Sequence, residues 1–329
     1  MQGTSDPAVC HNFAKSFPKA YVLSIFPNHF GVLTVDGIDL DLILLVPELP
    51  GEDHKVIGKM ISHTPGGPAA NFACAASRLG MSVASLAEVG SDQAGQIIVN
   101  DFNDYGVDTT FIQVRPDSQT CFTVILVPPS GEKAIVVVPT FTPMYSVELL
   151  TTAVSNASLI YMMPQDHEHF FRIADIARLC GTPVMIDVEP SVALNRNVLD
   201  RMLSVTNIIS FNKFGFEAAC GVAPTLSTAR ALLSYGPEIV VVTLGAQGAL
   251  AVSKTEASIV PGYRVSVMDT TGAGDTFNAA FTVAQNMPLS QRLQFANATA
   301  ALSTTGLGPR GNLPTADQVQ MFLANAQLN

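Results

Sequence analysis

From about Val32 onward, short apolar runs rich in β-formers alternate with longer stretches whose apolar positions recur at helical spacing. The strand-like runs are VLTVDG, SVASLAEVG, SLIYMM, PVMIDV, TNIISF and EIVVVTLG. This alternation predicts an α/β fold: a doubly wound, mostly parallel sheet with helices on both faces. PVMIDV is apolar on both strand faces, as a strand covered on either side should be. FFRIADIARLCG, just before it, has helical spacing and closes on Gly181, a residue suited to the left-handed end of a helix.

Two places break the alternation. DLILLVP and KVIGKMISHT follow the first strand with no helix between them, and TCFTVILV and KAIVVVP flank PPSGE as a hairpin. In a doubly wound domain these four strands are expected to form a small second sheet beyond the carboxyl ends of the main strands, where ligands bind. The expected organisation is an N-terminal extension and lead-in over 1–31, then one domain over 32–329 with lid strands near 41–64 and 120–139. No repeat or Pro/Gly/Ser-rich linker divides it.

Composition narrows the partners. The chain has 329 residues, 17 Lys and Arg against 27 Asp and Glu, and so a net charge of −10. Such a chain has no nonspecific hold on nucleic acid or an anionic membrane surface, and any phosphate must be held locally. Hydrophobic residues make up 48% and charged residues 13%, which excludes a disordered chain, yet no apolar run approaches the roughly 20 residues of a membrane span. The five Cys are odd in number and without a CxxC, so neither a disulfide framework nor a cysteine zinc site is expected. The first twenty residues lack the pattern of a secretion signal. A cytoplasmic protein is expected.

The segment most informative about chemistry is DTTGAGDTFNAAFTVAQ, 269–285. Gly272, Ala273 and Gly274 run directly into an apolar helix, whose first amides lack intrahelical partners and carry the positive end of the dipole. That makes an anion cradle. Asp275 falls in the first turn, where the dipole favours its ionised form, ready to accept a proton from a hydroxyl. An anion hole beside a fixed carboxylate suits phosphoryl transfer to an alcohol; a plain glycine-rich helix cap is the simpler alternative. There is no Walker loop, since Gly58-Lys59 is followed by Met60, and no G-x-G-x-x-G or G-x-S-x-G entering a helix. GGPAANFACAASRLG, 66–80, repeats the logic of a glycine turn feeding a helix. Gly66 and Gly67 permit close approach of a ligand, and Asn71 offers a donor and an acceptor. Asp39 and Asp41 lie two apart on a strand and face one side, a pair suited to hydroxyl-rich ligands.

Together these residues resemble the ribokinase-like, phosphofructokinase B type carbohydrate kinase family over about 32 to 323. DTTGAGDTF looks like its second signature and GGPAANFACAASRLG like its first; LPGED, AEVGSDQAG, GVDTT, VVVTLGAQG and FANATAALSTTGLGPRGNLPT fit in order. The resemblance implies transfer of the ATP γ-phosphate, with Mg2+, to a sugar hydroxyl. It implies Asp275 as general base, the Gly272, Ala273 and Gly274 amides as anion hole, and Asp41, Gly66, Gly67 and Asn71, with Asp39 beside them, on the sugar. Thr243, Gly245 and Gly248 would line the nucleotide, with Asn297 near the adenine and Asn212 near the phosphates. Asp269 matches an acidic residue that in relatives lies beside a monovalent-cation site, a place for K+.

Four departures qualify that picture. The family's N-x-x-E reads Asn212-Lys-Phe-Gly215, with Glu217 two residues late, so either a shifted turn brings Glu217 in as an indirect magnesium contact or the metal relies on the phosphates and water. PTFTPMY (139–145) replaces a G-A-N turn. MMPQDHEHF stands where ribokinase places a glutamate; its Asp166, His167, Glu168 and His169 fit either a ligand site or a helix start, and the dipole favours the latter. Pro68 stands where phosphosugar kinases of the family often carry Lys. The expected substrate is an unphosphorylated sugar, sugar acid or polyol. A nucleoside, or a noncatalytic role as a nucleotide- or sugar-binding module, is the alternative, and the lid is an expected homodimer surface.

Overall fold

The computed structural model describes residues 29–130, 133–190 and 196–326; the expected N-terminal extension lies almost wholly outside them. Strands are numbered along the chain: β1 Val32–Val35, β2 Asp39–Leu45, β3 Lys59–Gly66, β4 Val83–Gly90, β5 Ile112–Arg115, β6 Phe122–Val127, β7 Ala134–Val138, β8 Ile160–Met162, β9 Val184–Val188, β10 Ile208–Asn212, β11 Ile239–Thr243, β12 Ala249–Ser253 and β13 Ala257–Val260. Nine form one sheet in the order β13-β12-β11-β10-β9-β8-β1-β4-β5. The seven from β11 to β5 run parallel, and β12 and β13 close one edge antiparallel. All six expected parallel strands are present. β5, β12 and β13 are additional to the expected strands.

Alternate residues of β1 serve opposite layers. Val32 packs with Ala70, Phe72 and Tyr161, whereas Leu33 packs with Leu150, Phe170 and Ile186. Helices α1 (Pro68–Arg78), α2 (Gln93–Tyr105) and α3 (Val147–Ser155) flank the sheet, as does α4 (His167–Cys180), which ends on Gly181 at φ 71°. The remaining helices are α5 Arg196–Ser204, α6 Lys213–Cys220, α7 Leu226–Leu232, α8 Ala273–Val283, α9 Leu289–Ser303 and α10 Ala316–Ala326. The Phe72 ring stacks on Tyr161 at 3.8 Å between centroids, tying α1 to β8. No helix among the described residues is long and apolar enough to cross a membrane.

The four remaining strands form the separate small sheet, in the order β3-β2-β6-β7. Two antiparallel hairpins, β2–β3 and β6–β7, meet through a parallel β2–β6 pairing. Where the small sheet meets the large one the backbone is very close. Gly67, at φ 91°, would place a Cβ 2.2 Å from the Gly37 carbonyl oxygen, and Gly37 itself sits at φ 59°. Both turns require glycine. The Gly67 turn leads straight from β3 into α1, with Pro68 in the first turn of the helix.

Candidate active site

The mouth of α8 opens onto a cleft of about 560 Å3, lined at this end by Gly272, Gly274, Asp275 and Asn278. Gly272 adopts φ 74°, and a Cβ there would strike Pro309 at 2.7 Å, while one on Gly274 would meet nothing within 4 Å. Gly272 therefore shapes the turn and Gly274 presents bare backbone to the cleft. The Ala273 amide donates to the Thr270 carbonyl at 3.2 Å, so one of the three expected anion-hole amides is already engaged within the loop.

Asp275 Oδ2 accepts from Asn71 Nδ2 at 2.9 Å, joining the two glycine-turn helices at their starts. Burial pushes the Asp275 carboxyl well above the ordinary carboxylate range; Asp187 and Glu189 push the same way, and Asn71 and Arg310 oppose them. The direction is opposite to what the helix dipole alone predicts. Desolvation outweighs the dipole here.

Asp39 and Asp41 are both buried and lie against the same glycine: a Cβ on Gly66 would fall 2.2 Å from Asp41 Oδ2 and 2.8 Å from Asp39 Oδ1. Thr123 Oγ1 donates to Asp39 Oδ2 at 2.9 Å, while Asp39 Oδ1 is buried without a hydrogen-bond partner. Burial, together with the Asp39 charge, raises Asp41 to about 7; burial also raises Asp39. Two desolvated acceptors, one of them orphaned, make a site that lacks hydroxyl donors.

The cleft continues past Asn212, Thr243 and Gly245. Asn212 caps α6, accepting from the Gly215 amide at 2.7 Å. Asn297 and Gly248 do not reach this lining. The Asn297 amide donates to the Val260 and Pro261 carbonyls at 3.1 and 3.2 Å, and a Cβ on Gly248 would meet the Val260 oxygen at 2.1 Å. Both hold the turn after β13. Glu217 is in α6 and is also absent from the lining. Asp269 accepts from the Thr271 amide and hydroxyl, from the Gly308 amide at 3.0 Å, and from Lys133 Nζ at 3.2 Å. Burial alone would raise its carboxyl, but these donors hold it at about 2.

Several site residues escaped the sequence reading. Asp187, at the end of β9, accepts from Asn278 Nδ2 at 2.9 Å, and Ser210 donates to Asn278 Oδ1 at 2.7 Å. A carboxylate in the otherwise apolar PVMIDV was the available signal. Arg310 donates to Asn71 Oδ1 at 3.1 Å and to Asp101. Of the DHEH string, Asp166 caps α4 by accepting from the His169 amide, and His169 Nε2 meets Asp36 Oδ2 at 2.8 Å. Asp36 also accepts from the Tyr145 hydroxyl, which pins the end of PTFTPMY against β1.

Residues 31–316 match the pfkB family carbohydrate kinase. The chain belongs to that family. The Haemophilus influenzae ribokinase is 31% identical over 306 residues, covering 89% of this chain and 99% of that protein. A structure of Arabidopsis thaliana ribokinase complexed with ribose and ATP superposes with a TM-score of 0.78 at 23% identity, covering 89% and 98% of the two chains. An E. coli protein of the same fold, solved in complex with ATP and Mg2+, gives 0.75 at 22% identity, with 90% and 99% covered. The family match and the ribokinase relative make the chain a carbohydrate kinase, a phosphotransferase.

Proposed function

We propose that this kinase transfers the γ-phosphoryl group of ATP to a hydroxyl of an unphosphorylated, uncharged sugar or polyol. The observation that carries the reading is the pair Asp39 and Asp41 against Gly66, with a buried carboxylate oxygen lacking a donor. Hydroxyl groups supply such donors, whereas a carboxylate or phosphate substrate would add negative charge beside a pair whose own ionisation burial already disfavours. Arg310, the arginine whose charge acts on both, is already committed to Asp101 and Asn71. A sugar acid is therefore disfavoured, and so is a sugar phosphate.

In this mechanism Asp39 and Asp41 accept hydroxyl hydrogens and fix the ring, and Asn71 holds the Asp275 carboxyl in place. Asp275 then takes the proton from the attacking hydroxyl; its raised affinity for protons makes it a stronger base once ionised. The bare amide at Gly274 offers a dipole to the charge developing on the moving group. The β2–β3 and β6–β7 hairpins exclude water over the sugar end. ATP, bound as its magnesium complex, supplies the phosphoryl group.

The residues present fit magnesium in an altered way. A side chain at Gly215 would meet the Val188 carbonyl oxygen at 2.3 Å, so the glutamate of N-x-x-E has no space there. Asp187 and Glu189, one strand over, line the cleft instead. Among the described residues no three acidic, His or Cys side chains converge closely enough to hold a metal alone. Asp187 and Glu189 would therefore hold the ion together with phosphate oxygens and water. Asp269 does not fit a monovalent cation, because the Lys133 ammonium already stands against its Oδ1.

ADP release with neutral sugars, polyols, sugar acids, sugar phosphates and nucleosides, each at several magnesium concentrations, tests the reading. Turnover confined to neutral sugars or polyols supports it, and preference for an anionic substrate or a nucleoside overturns it. The lid also exposes Met60, Ile135 and Val137 by more than half of their surface, the apolar face of a homodimer; a monomeric mass at micromolar concentration would exclude that assembly.

A further inference from the structure

Arg310 lies in the loop between α9 and α10, and its side chain is only 8% exposed. Its guanidinium spans three elements. Nε donates to Asn71 Oδ1 at 3.1 Å on α1, Nη1 donates to Asp101 Oδ2 on α2, and Nη2 lies 3.4 Å from the Gly66 carbonyl oxygen at the end of β3. The Tyr105 hydroxyl, one turn beyond Asp101, donates to the Arg310 carbonyl at 3.4 Å and holds the loop backbone.

The consequence lies in the symmetry of an amide. The two ends of an Asn side chain are almost the same size, so its neighbours decide which faces where. A guanidinium only donates, which forces Asn71 Oδ1 toward Arg310. Nδ2 is thereby turned toward Asp275, where it donates at 2.9 Å. An ionised Asp275 only accepts. Were the amide reversed, its oxygen would face the carboxylate and repel it.

We propose that Arg310 is a positioning residue for phosphoryl transfer: through Asn71 it orients the Asp275 carboxyl. The inference rests on Asp275 being the general base. Arg310 is the cation whose charge acts on Asp275, in a site crowded with acids. Asp187 and Glu189 face Asp275 from the end of β9, and Tyr161 faces it from β8. Arg310 itself is faced by Asp39 and Asp41 of β2, Cys74 of α1, Asp101 and Tyr105 of α2, and Asp275 of α8; Lys133 acts on Asp41 from the lid. With Arg310 gone, these acids lose their common counter-charge.

The test is the pH profile of kcat for the full chain and for Arg310→Met, Arg310→Lys and Asn71→Ala, with a double variant closing the cycle. Arg310→Met should move the acid limb upward by about one pH unit, tenfold in proton affinity, and lower kcat more than it raises KM. Arg310→Lys, which keeps the charge but not the fork, should restore part of the limb position. In the Asn71→Ala background, Arg310→Met should cost much less than it does alone. A wild-type limb in Arg310→Met, or additive losses in the cycle, overturns the proposal. If Arg310→Met does not fold, Arg310→Lys and the corresponding cycle with Asn71→Ala decide in the same way. Asp275→Asn, run alongside, separates the premises: near-normal turnover there removes the base itself, whereas an inactive Asp275→Asn beside an unshifted Arg310 variant removes only the role of Arg310.

Discussion

Asn71 donates a hydrogen bond to Asp275 at 2.9 Å although the two are 204 positions apart. Each sits at the start of a helix entered through a glycine turn, and the contact brings the two signature motifs into one site. Asp275 is thereby fixed by a neighbour that cannot itself take its proton.

For that reason Asp275→Asn is expected to fold as the wild type does. The amide is the same size and removes a buried charge that burial disfavours. Its kcat should fall by about 100 to 10,000 fold, the range of a general base. Unchanged thermal unfolding with lost ADP release is the expected pair of results; near wild-type kcat would reject the base assignment.

Neighbouring glycines should separate folding from binding. At Gly66 the atoms that a Cβ would meet are the ends of the Asp39 and Asp41 side chains, which can swing aside. Gly66→Ala is expected to fold but to raise KM for the sugar by about tenfold or more, roughly 1.4 kcal/mol per decade. At Gly67 the obstacle is the Gly37 backbone and φ is 91°, so Gly67→Ala should cost about 1–3 kcal/mol in strain alone. Denaturant unfolding beside sugar titration distinguishes them, and equal behaviour of the two variants would refute this division.

Much of this arrangement was legible because it depends on local pattern. The parallel strands announce themselves as apolar runs such as VVVT in β11, and Asp39 and Asp41 share a face because a strand repeats every two residues. The glycine turn before Asp275 is equally local. What the pattern hides is pairing at long range. Arg310 reaches Asn71 across 239 positions, and nothing about GPRGN marks its arginine as buried. Asn297 and Gly248 fit the family motifs, yet their side chain or bare backbone is used by the turn after β13. A motif gives residue type and order but not which partner claims the polar atoms. The same limit applies to Gly215: the sequence registers a missing glutamate, and only the Val188 carbonyl explains it.

The acidic floor should be visible in stability as well as in activity. Asp41 is raised to about 7 in the folded protein by burial and then by Asp39, against about 3.9 in an unfolded chain. Between those values the folded state holds a proton that the unfolded state lacks, so stability falls as pH rises from about 4 to about 7 and levels off above. Asp41→Asn removes that dependence. Its Tm should match wild type near pH 4 and exceed it by a few degrees at pH 8, while sugar affinity drops. A gain that is the same at both pH values would contradict the assignment.

Lys133, on the lid strand side of the β6–β7 turn, reaches the Asp269 carboxylate at 3.2 Å and also donates to the Thr271 hydroxyl. Its ammonium stands where a monovalent cation would meet Asp269, so the chain carries its own counter-ion. Turnover of the wild type should therefore be the same in potassium chloride and in tetramethylammonium chloride of equal ionic strength, since the bulky ion cannot enter. Lys133→Ala leaves Asp269 with its amide and hydroxyl donors but without a cation. That variant should lose turnover in tetramethylammonium chloride and recover it in potassium chloride, with stability changed by less than about 1 kcal/mol because the pair is partly exposed. Strong potassium activation of the wild type would show that Lys133 moves away during turnover and that the ammonium does not serve as the resident charge.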